Sequence, residues 1–345
     1  MYVGISLGLT KINRYERRKG IKEKSIKMKK IGIVLASMLF SIGVSGQELS
    51  LPAANQYLAD SEFLVAPTFA GIGNHVRVRA SGVTQWLGIK DAPDYQSLSG
   101  DMRLGDRSGL GLVLYNDKNG FTKQMGGKFT FSHHLTLDVY DSHFLSFGIS
   151  YMVNSFRIDI DKFDMPRRST DVGVTDNRST VNHNFEVGVL YRYKGLFGNL
   201  TASNILNKDT EAFGLKEPMK LRHYNLYLGY RYKRDQHSHL EIEPSLFTQY
   251  YEGDGRSTSD LNLKFRWFEF EDYYWAGLTG RFVNDQVFQP LSVGAMVGLK
   301  RNIFYFAYGY TFPLNQLNSY TMGSHMLTIG IDMFQGIGGC NCTER

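Results

Sequence analysis

Alternation with a period of two dominates the chain from about residue 75 onward. In 260–268, Leu261, Leu263, Phe265 and Trp267 make one face, and Asp260, Asn262, Lys264, Arg266 and Phe268 the other. In 223–233, Tyr224, Leu226, Leu228, Tyr230 and Tyr232 alternate with Asn225, Tyr227, Gly229, Arg231 and Lys233. In 184–193, Phe185, Val187, Val189, Tyr191 and Tyr193 alternate with Asn184, Glu186, Gly188, Leu190 and Arg192. Segments 145–153, 291–299 and 303–312 repeat the pattern, with glycine or small residues common on the second face. These are strands with one apolar, aromatic face and one charged or small face.

Strand length decides what the apolar face meets. The segments run about 9–13 residues, whereas soluble strands are typically about 5–6. A tilted strand crosses a bilayer in about 9–11. A soluble sandwich would bury the apolar face on a second sheet. A membrane barrel turns it to lipid and keeps the polar face in the lumen, and closure satisfies every backbone donor and acceptor. The fold predicted is all-β, a transmembrane antiparallel β-barrel of about fourteen strands. The strands are placed near 75–88, 94–103, 108–116, 125–135, 143–154, 182–193, 196–205, 222–233, 240–251, 258–267, 272–283, 287–299, 302–312 and 324–334. If both termini are periplasmic, the long connections 155–181, 206–221 and 313–323 all face outward. The short ones, 194–195 and 300–301, then face inward, as bacterial outer-membrane barrels require.

Composition agrees: the 345 residues include 21 Tyr, 23 Phe and 36 Gly but only 8 Pro. No apolar stretch of about 20 residues exists, which excludes a polytopic helical protein. The longest apolar run, Ile31–Val44, follows Met28-Lys29-Lys30 and precedes Ser45-Gly46-Gln47. That is a basic, then apolar, then small-residue export signal, with cleavage expected before Gln47. A single membrane anchor is the alternative, disfavoured by the shortness of the run. Met28 is the expected start, with residues 1–27 an upstream extension. The net charge of +6 changes meaning once this leader is set aside. Residues 1–46 hold ten Lys or Arg and two Glu, leaving 29 basic and 31 acidic residues in the remainder. The electrostatic argument for a nucleic-acid partner goes with the leader. The expected organisation is a leader at 1–46, a periplasmic N-terminal segment at 47–74 that plugs the lumen or meets partners, a barrel at 75–334, and a periplasmic tail at 335–345.

Little points to catalysis or metal. His133, His134, His183, His223, His237, His239 and His325 lack ligand spacing with carboxylates or Cys. The only cysteines are Cys340 and Cys342. A disulfide across one residue is strained, which leaves loose thiols, an intermolecular bond, or a metal or redox role. The connection 155–181 mixes Asp159, Asp161, Asp164, Asp171 and Asp176 with Arg157, Arg167, Arg168 and Arg178, the composition of a solvated loop. Asp159-Ile-Asp161 begins like a calcium loop, but the later Gly and Glu are missing. The glycines at 109 and 111 have no strand–loop–helix context for phosphate; close packing in the lumen or tight turns accounts for them. No cofactor is expected.

Several short stretches, in order along the chain, resemble the PorP/SprF family of outer-membrane proteins from the type IX secretion and gliding apparatus of Bacteroidota. They are Ala66-Pro67-Thr68-Phe69-Ala70-Gly71, Gln85-Trp86-Leu87-Gly88 with Ala92-Pro93, Asn116-Asp117-Lys118-Asn119-Gly120, Ser203-Asn204-Ile205-Leu206-Asn207-Lys208, and Gly323-Ser324-His325-Met326-Leu327. Ala66 stands where the family has Asn, Met326 where it has Glu, and a tail follows Phe334. The resemblance implies an outer-membrane barrel that is not itself the translocation pore. It further implies a part in export or surface anchoring of a type IX cargo such as a large adhesin. The partners it implies are a periplasmic peptidoglycan-associated lipoprotein and outer-membrane lipid.

Partner-contact or family-motif candidates are therefore Pro67, Ala70, Gly71, Gln85, Trp86, Gly88, Ala92, Pro93, Asn116, Asp117, Lys118, Asn204 and His325. Trp86 reads either as an interface anchor or as a partner contact. A diffusion porin is the alternative function. Lumen-facing Lys264, Arg266, Arg231 and Glu186 would suit it, and would equally suit a packed, closed interior. An outer-membrane hydrolase is the third reading, without a visible site.

Overall fold

The computed structural model describes residues 55–120, 122–138, 140, 142–158, 178–206, 221–235, 238–253, 255–285, 289–336 and 342. The leader, most of the connection 155–181, the pair Asn207-Lys208, His237 and Cys340 lie outside the described residues. The described residues form fourteen strands. They are β1 (His75–Thr84), β2 (Asp94–Leu104), β3 (Ser108–Asn119), β4 (Thr122–Thr136), β5 (His143–Ile158), β6 (Arg178–Tyr193) and β7 (Leu196–Ser203). Next come β8 (His223–Tyr230, resuming at Tyr232–Lys233), β9 (Leu240–Tyr251), β10 (Ser257–Glu269), β11 (Asp272–Val283), β12 (Gln289–Arg301), β13 (Phe304–Pro313) and β14 (Ser324–Phe334). Each pairs antiparallel with its chain neighbours, and β1 pairs with β14 from His75↔Phe334 to Thr84↔His325, which closes the barrel.

The alternation read from sequence maps onto two faces. On β10, Leu261, Phe265 and Trp267 point outward at 55%, 38% and 51% exposure, while Asp260, Lys264 and Arg266 point inward and are buried. Such a wall is stable only with its apolar face in hydrocarbon and its polar face enclosed. On β8, Tyr227 is buried and Leu228 exposed. A break at Arg231, whose N–H donates to Gly195 O at 2.9 Å, aims its guanidinium inward.

Strand ends depart from the sequence expectation for local reasons. The first strand was expected to run to 88 but stops at Thr84, because Trp86 and Gly88 adopt φ of 50° and 102°. β7 stops at Ser203, short of the expected 205, because Asn204 has φ of 54°. β3 and β4 extend past the expected 116 and 125 and pair as far as Asn119↔Thr122. β5 and β6 continue to Ile158 and from Arg178, which shortens the expected loop 155–181. Polar residues at outward positions of these extensions, Lys118, Lys123, Ser155, Arg157 and Ser179, hid them from a hydrophobic pattern.

Residues 55–72 enter the lumen as three 3-10 turns, Gln56–Leu58, Glu62–Leu64 and Pro67–Phe69. Tyr57, Leu58, Phe63, Val65, Phe69 and Ile72 are all buried there. Phe69 and Tyr57 pack on Phe197, Tyr227 and Phe247, with Tyr57 and Phe247 centroids 4.8 Å apart. We call this segment the plug.

Candidate functional site: a plugged lumen and its long-loop rim

Irregular backbone inside a barrel must have its polar groups satisfied by the wall. Lys264 Nζ donates to Leu58 O at 2.7 Å, Lys128 Nζ to Leu64 O at 2.9 Å and Ser132 Oγ to Ala70 O at 2.6 Å. Two plug carboxylates meet wall cations. Asp60 Oδ1 accepts from Lys264 Nζ at 2.7 Å and Arg266 Nη2 at 2.8 Å, and Tyr273 donates to Oδ2 at 2.8 Å. Glu62 accepts from Arg231 Nη2 at 3.3 Å, and the Arg231 Nε donates to Glu243 at 2.9 Å. Arg266 also pairs with Glu241. Burial pushes the Tyr57 phenol well above its ordinary range, so it stays a neutral donor to Asp260, 3.2 Å away.

Where the plug backbone comes closest, the wall has no side chain. A Cβ on Gly109 would lie 2.2 Å from Ala70 O, and one on Gly148 would lie 2.6 Å from the Pro67 carbonyl carbon. Only glycine permits that approach. Gly111 and Gly188 face plug side chains less tightly, their Cβ positions lying 3.1 Å from the Phe63 ring and 3.3 Å from the Pro67 ring.

The candidate residues named from sequence divide into two groups. Pro67, Ala70 and Gly71 are buried in the plug, against their own barrel. The Gly71 N–H donates to Asp101 Oδ2 at 3.0 Å, and Asp101 is held by Arg77 at 3.0 and 2.6 Å. The second group gathers at the end of the barrel that carries the long connections. There the β1–β2 and β13–β14 connections are tied together. Leu87 N–H donates to Gly323 O at 2.8 Å, Met322 N–H to Leu87 O at 2.7 Å, and Trp86 N–H to Ser324 Oγ at 3.3 Å. The Gln85 N–H donates to Pro93 O at 2.9 Å and the Ala92 N–H to Ile89 O at 3.4 Å, which with the turned backbone at Gly88 shapes the first connection. Lys118 Nζ lies 3.6 Å from Asp91, an exposed pair of small energetic weight. Asn116 faces outward and Asp117 inward on the β3 extension, both half-buried. Asn204 caps β7 and donates to Leu221 O at 3.2 Å. His325 points outward, with Nδ1 2.7 Å from the Tyr308 hydroxyl and its ring near Tyr310. Its partners are those of an aromatic belt.

Between these connections and the plug lies a cavity of about 210 Å³, lined in part by Asn55, Gln85, Trp86, Met296, Thr311 and Met326. Trp86 is half-buried and lines this cavity. Sequence reading missed Asp60 and Glu62. The signal available was two acids in an otherwise apolar and small segment ahead of a barrel with lysine and arginine on its inward parity. At the short-turn end, Arg103 N–H donates to Gln335 Oε1 at 3.0 Å, and Arg192 bonds the Cys342 carbonyl. Cys342 is disulfide-bonded, not a loose thiol, and the only other cysteine, Cys340, lies outside the described residues. Among the described residues, no group of three or more His, Cys, Asp or Glu is arranged to hold a metal.

A family model described as type IX secretion system membrane protein PorP/SprF matches residues 46–331. No curated protein matches the chain. Among solved structures it is similar to the CymD monoaromatic hydrocarbon channel, with 11% identity, 80% of this chain and 93% of that one covered, and a TM-score of 0.49. It is similar to a FadL homologue of Pseudomonas aeruginosa, with 9% identity, coverage of 76% and 90%, and a TM-score of 0.44. It is also similar to outer membrane phospholipase A from Escherichia coli, with 10% identity, coverage of 74% and 92%, and a TM-score of 0.36. These likenesses are too distant to carry function.

Proposed function

The chain belongs to the PorP/SprF family of type IX secretion system membrane proteins and is an outer-membrane β-barrel, and from that premise we propose that it supports export or surface anchoring of a large secreted protein, such as an adhesin, without catalysing a reaction. The observation that carries this reading is the filled lumen. Lys264, Arg266 and Arg231 are engaged by the plug and by neighbouring carboxylates instead of lining an open channel. A resting diffusion porin does not fit that interior. The working surface is then the long-loop rim, where the 85–93 and 321–325 backbones are tied into one platform. In this reading the leader is removed before Gln47. Both termini and the short turns face the periplasm, where a peptidoglycan-associated lipoprotein is the expected partner, and the rim faces the cell exterior.

The test is affinity capture of the tagged protein from crosslinked outer membranes, followed by mass spectrometry. The expected companions are a large surface protein with a type IX C-terminal domain and a peptidoglycan-binding lipoprotein. Deletion should remove one cargo from the cell surface, and any gliding that depends on it. Capture of the barrel alone, with surface proteins unchanged on deletion, would sink the proposal.

A further inference from the structure

The wall does not balance its own buried charge. Among the described residues, eight buried cations on the strands, Lys264 and Arg266 among them, face only six buried strand carboxylates. The two buried carboxylates that restore neutrality are Asp60 and Glu62, both on the plug. At half-buried inward positions Arg231 and Arg281 add positive charge, offset in part by Asp117. A cleft lined by one sign of charge with low-dielectric walls concentrates the opposite ion.

The plug is also held in a particular way. Among the described residues, every backbone–backbone hydrogen bond made by 55–72 stays within the segment, as from Leu58 N–H to Asn55 O at 3.0 Å and from Phe69 N–H to Ala66 O at 3.2 Å. No strand register includes it, and the barrel ladder closes through β1 and β14 without it. Side chains alone fasten it to the wall, so it can leave without breaking the sheet. The cavity beside Asn55 already opens part of the route from the long-loop end.

We propose that residues 55–72 are a displaceable stopper over a latent pathway for small anions. With the stopper in place, Asp60 and Glu62 neutralise the cationic wall and their backbone fills its bore. With it displaced, water and mobile anions take over both tasks. The inference stands apart from the secretion role: a cargo-anchoring barrel and one with another duty would both carry it.

The test is planar-bilayer recording of the purified mature protein, its Asp60→Asn/Glu62→Gln double variant, and a variant lacking 55–72. The wild type should be nearly silent. The variants should open, and in a potassium chloride gradient their reversal potential should show chloride favoured over potassium. Heat-modifiable gel mobility identifies variants that have folded. If the deletion does not fold, the double variant, which preserves side-chain size, decides. Silence of every folded variant overturns the proposal, as does a preference for potassium or a wild type as conductive as the variants.

Discussion

Two arcs of the same inner wall meet the lumen differently. From β3 through β11 the wall receives the plug with glycine where backbones touch and with ionic or hydrogen-bonding side chains where polar groups need partners, as Gly109, Gly148, Lys128 and Lys264 illustrate. From β12 through β14 and the upper part of β1, the inward positions include Ser292, Gly294, Met296, Gly309 and Met326, and part of the space stays empty. Both arcs have outward apolar faces of the same kind. The lipid face alone therefore does not determine the inner face. The difference lies in whether a second piece of chain must be seated there, with its desolvated polar groups met one by one.

The sharpest way to break this comparison is to remove one ionic contact from the plugged arc. Asp60→Ala leaves Lys264 and Arg266 buried without that carboxylate. Taking one partner from a buried ion pair typically costs about 3–5 kcal/mol. Urea unfolding of the folded barrel in detergent should show a loss of that order, and a loss below about 1 kcal/mol would mean that water already serves these cations. Gly148→Val comes next. Its added carbon would meet Pro67 and Thr68 backbone atoms, both 2.6 Å from the Cβ position, which cannot swing aside. Overpacking costs about 1–3 kcal/mol, and the expected readout is a plug that thermolysin cuts near Phe63 while the barrel stays intact. Gly309→Ala probes the other arc. There the new carbon would face the unbranched side chains of Met296, at Cγ 3.1 Å away, and Met326, at its terminal methyl 3.4 Å away, beside open space. A change within about 1 kcal/mol is expected, and a loss equal to that of Gly148→Val would erase the distinction between the arcs.

How much of this was legible beforehand follows the range of the interactions. The faces of β6, β8 and β10 were legible because period two is written locally, in nine to eleven consecutive residues. The tight packing suggested for Gly109 and Gly111 was legible as a possibility, since glycine on an inward parity signals close approach. The partners of Asp60 were not, because Lys264 and Arg266 lie 204 and 206 positions away and nothing local joins them. Trp86 misled for the opposite reason. Its neighbours continued the strand pattern, but its left-handed backbone ends β1 and turns the residue to the cavity, a choice enforced by β14 through Ser324 and by the neighbouring connection through Gly323.

The smallest expected effect serves as a control outside both arcs. Asp138, in the connection between β4 and β5, accepts from the His143 and Ser142 N–H groups at 2.8 and 2.9 Å and from Ser142 Oγ at 2.7 Å. Those bonds, the His143 backbone donor foremost, pull its carboxyl down to about 2. A carboxyl depressed in the folded state contributes stability that is fully present above its unfolded pKa of about 4. That contribution is lost as pH falls through about 2. Asp138→Asn should therefore behave like wild type at pH 2 and differ slightly from it above pH 4, because it removes a turn and not a plug contact. Plug accessibility to an acid-active protease such as pepsin, compared for the two proteins at pH 2 and 4, checks this. If Asp138→Asn frees the plug at either pH, the turn and the plugged arc are coupled, and the contrast between arcs has been drawn too narrowly.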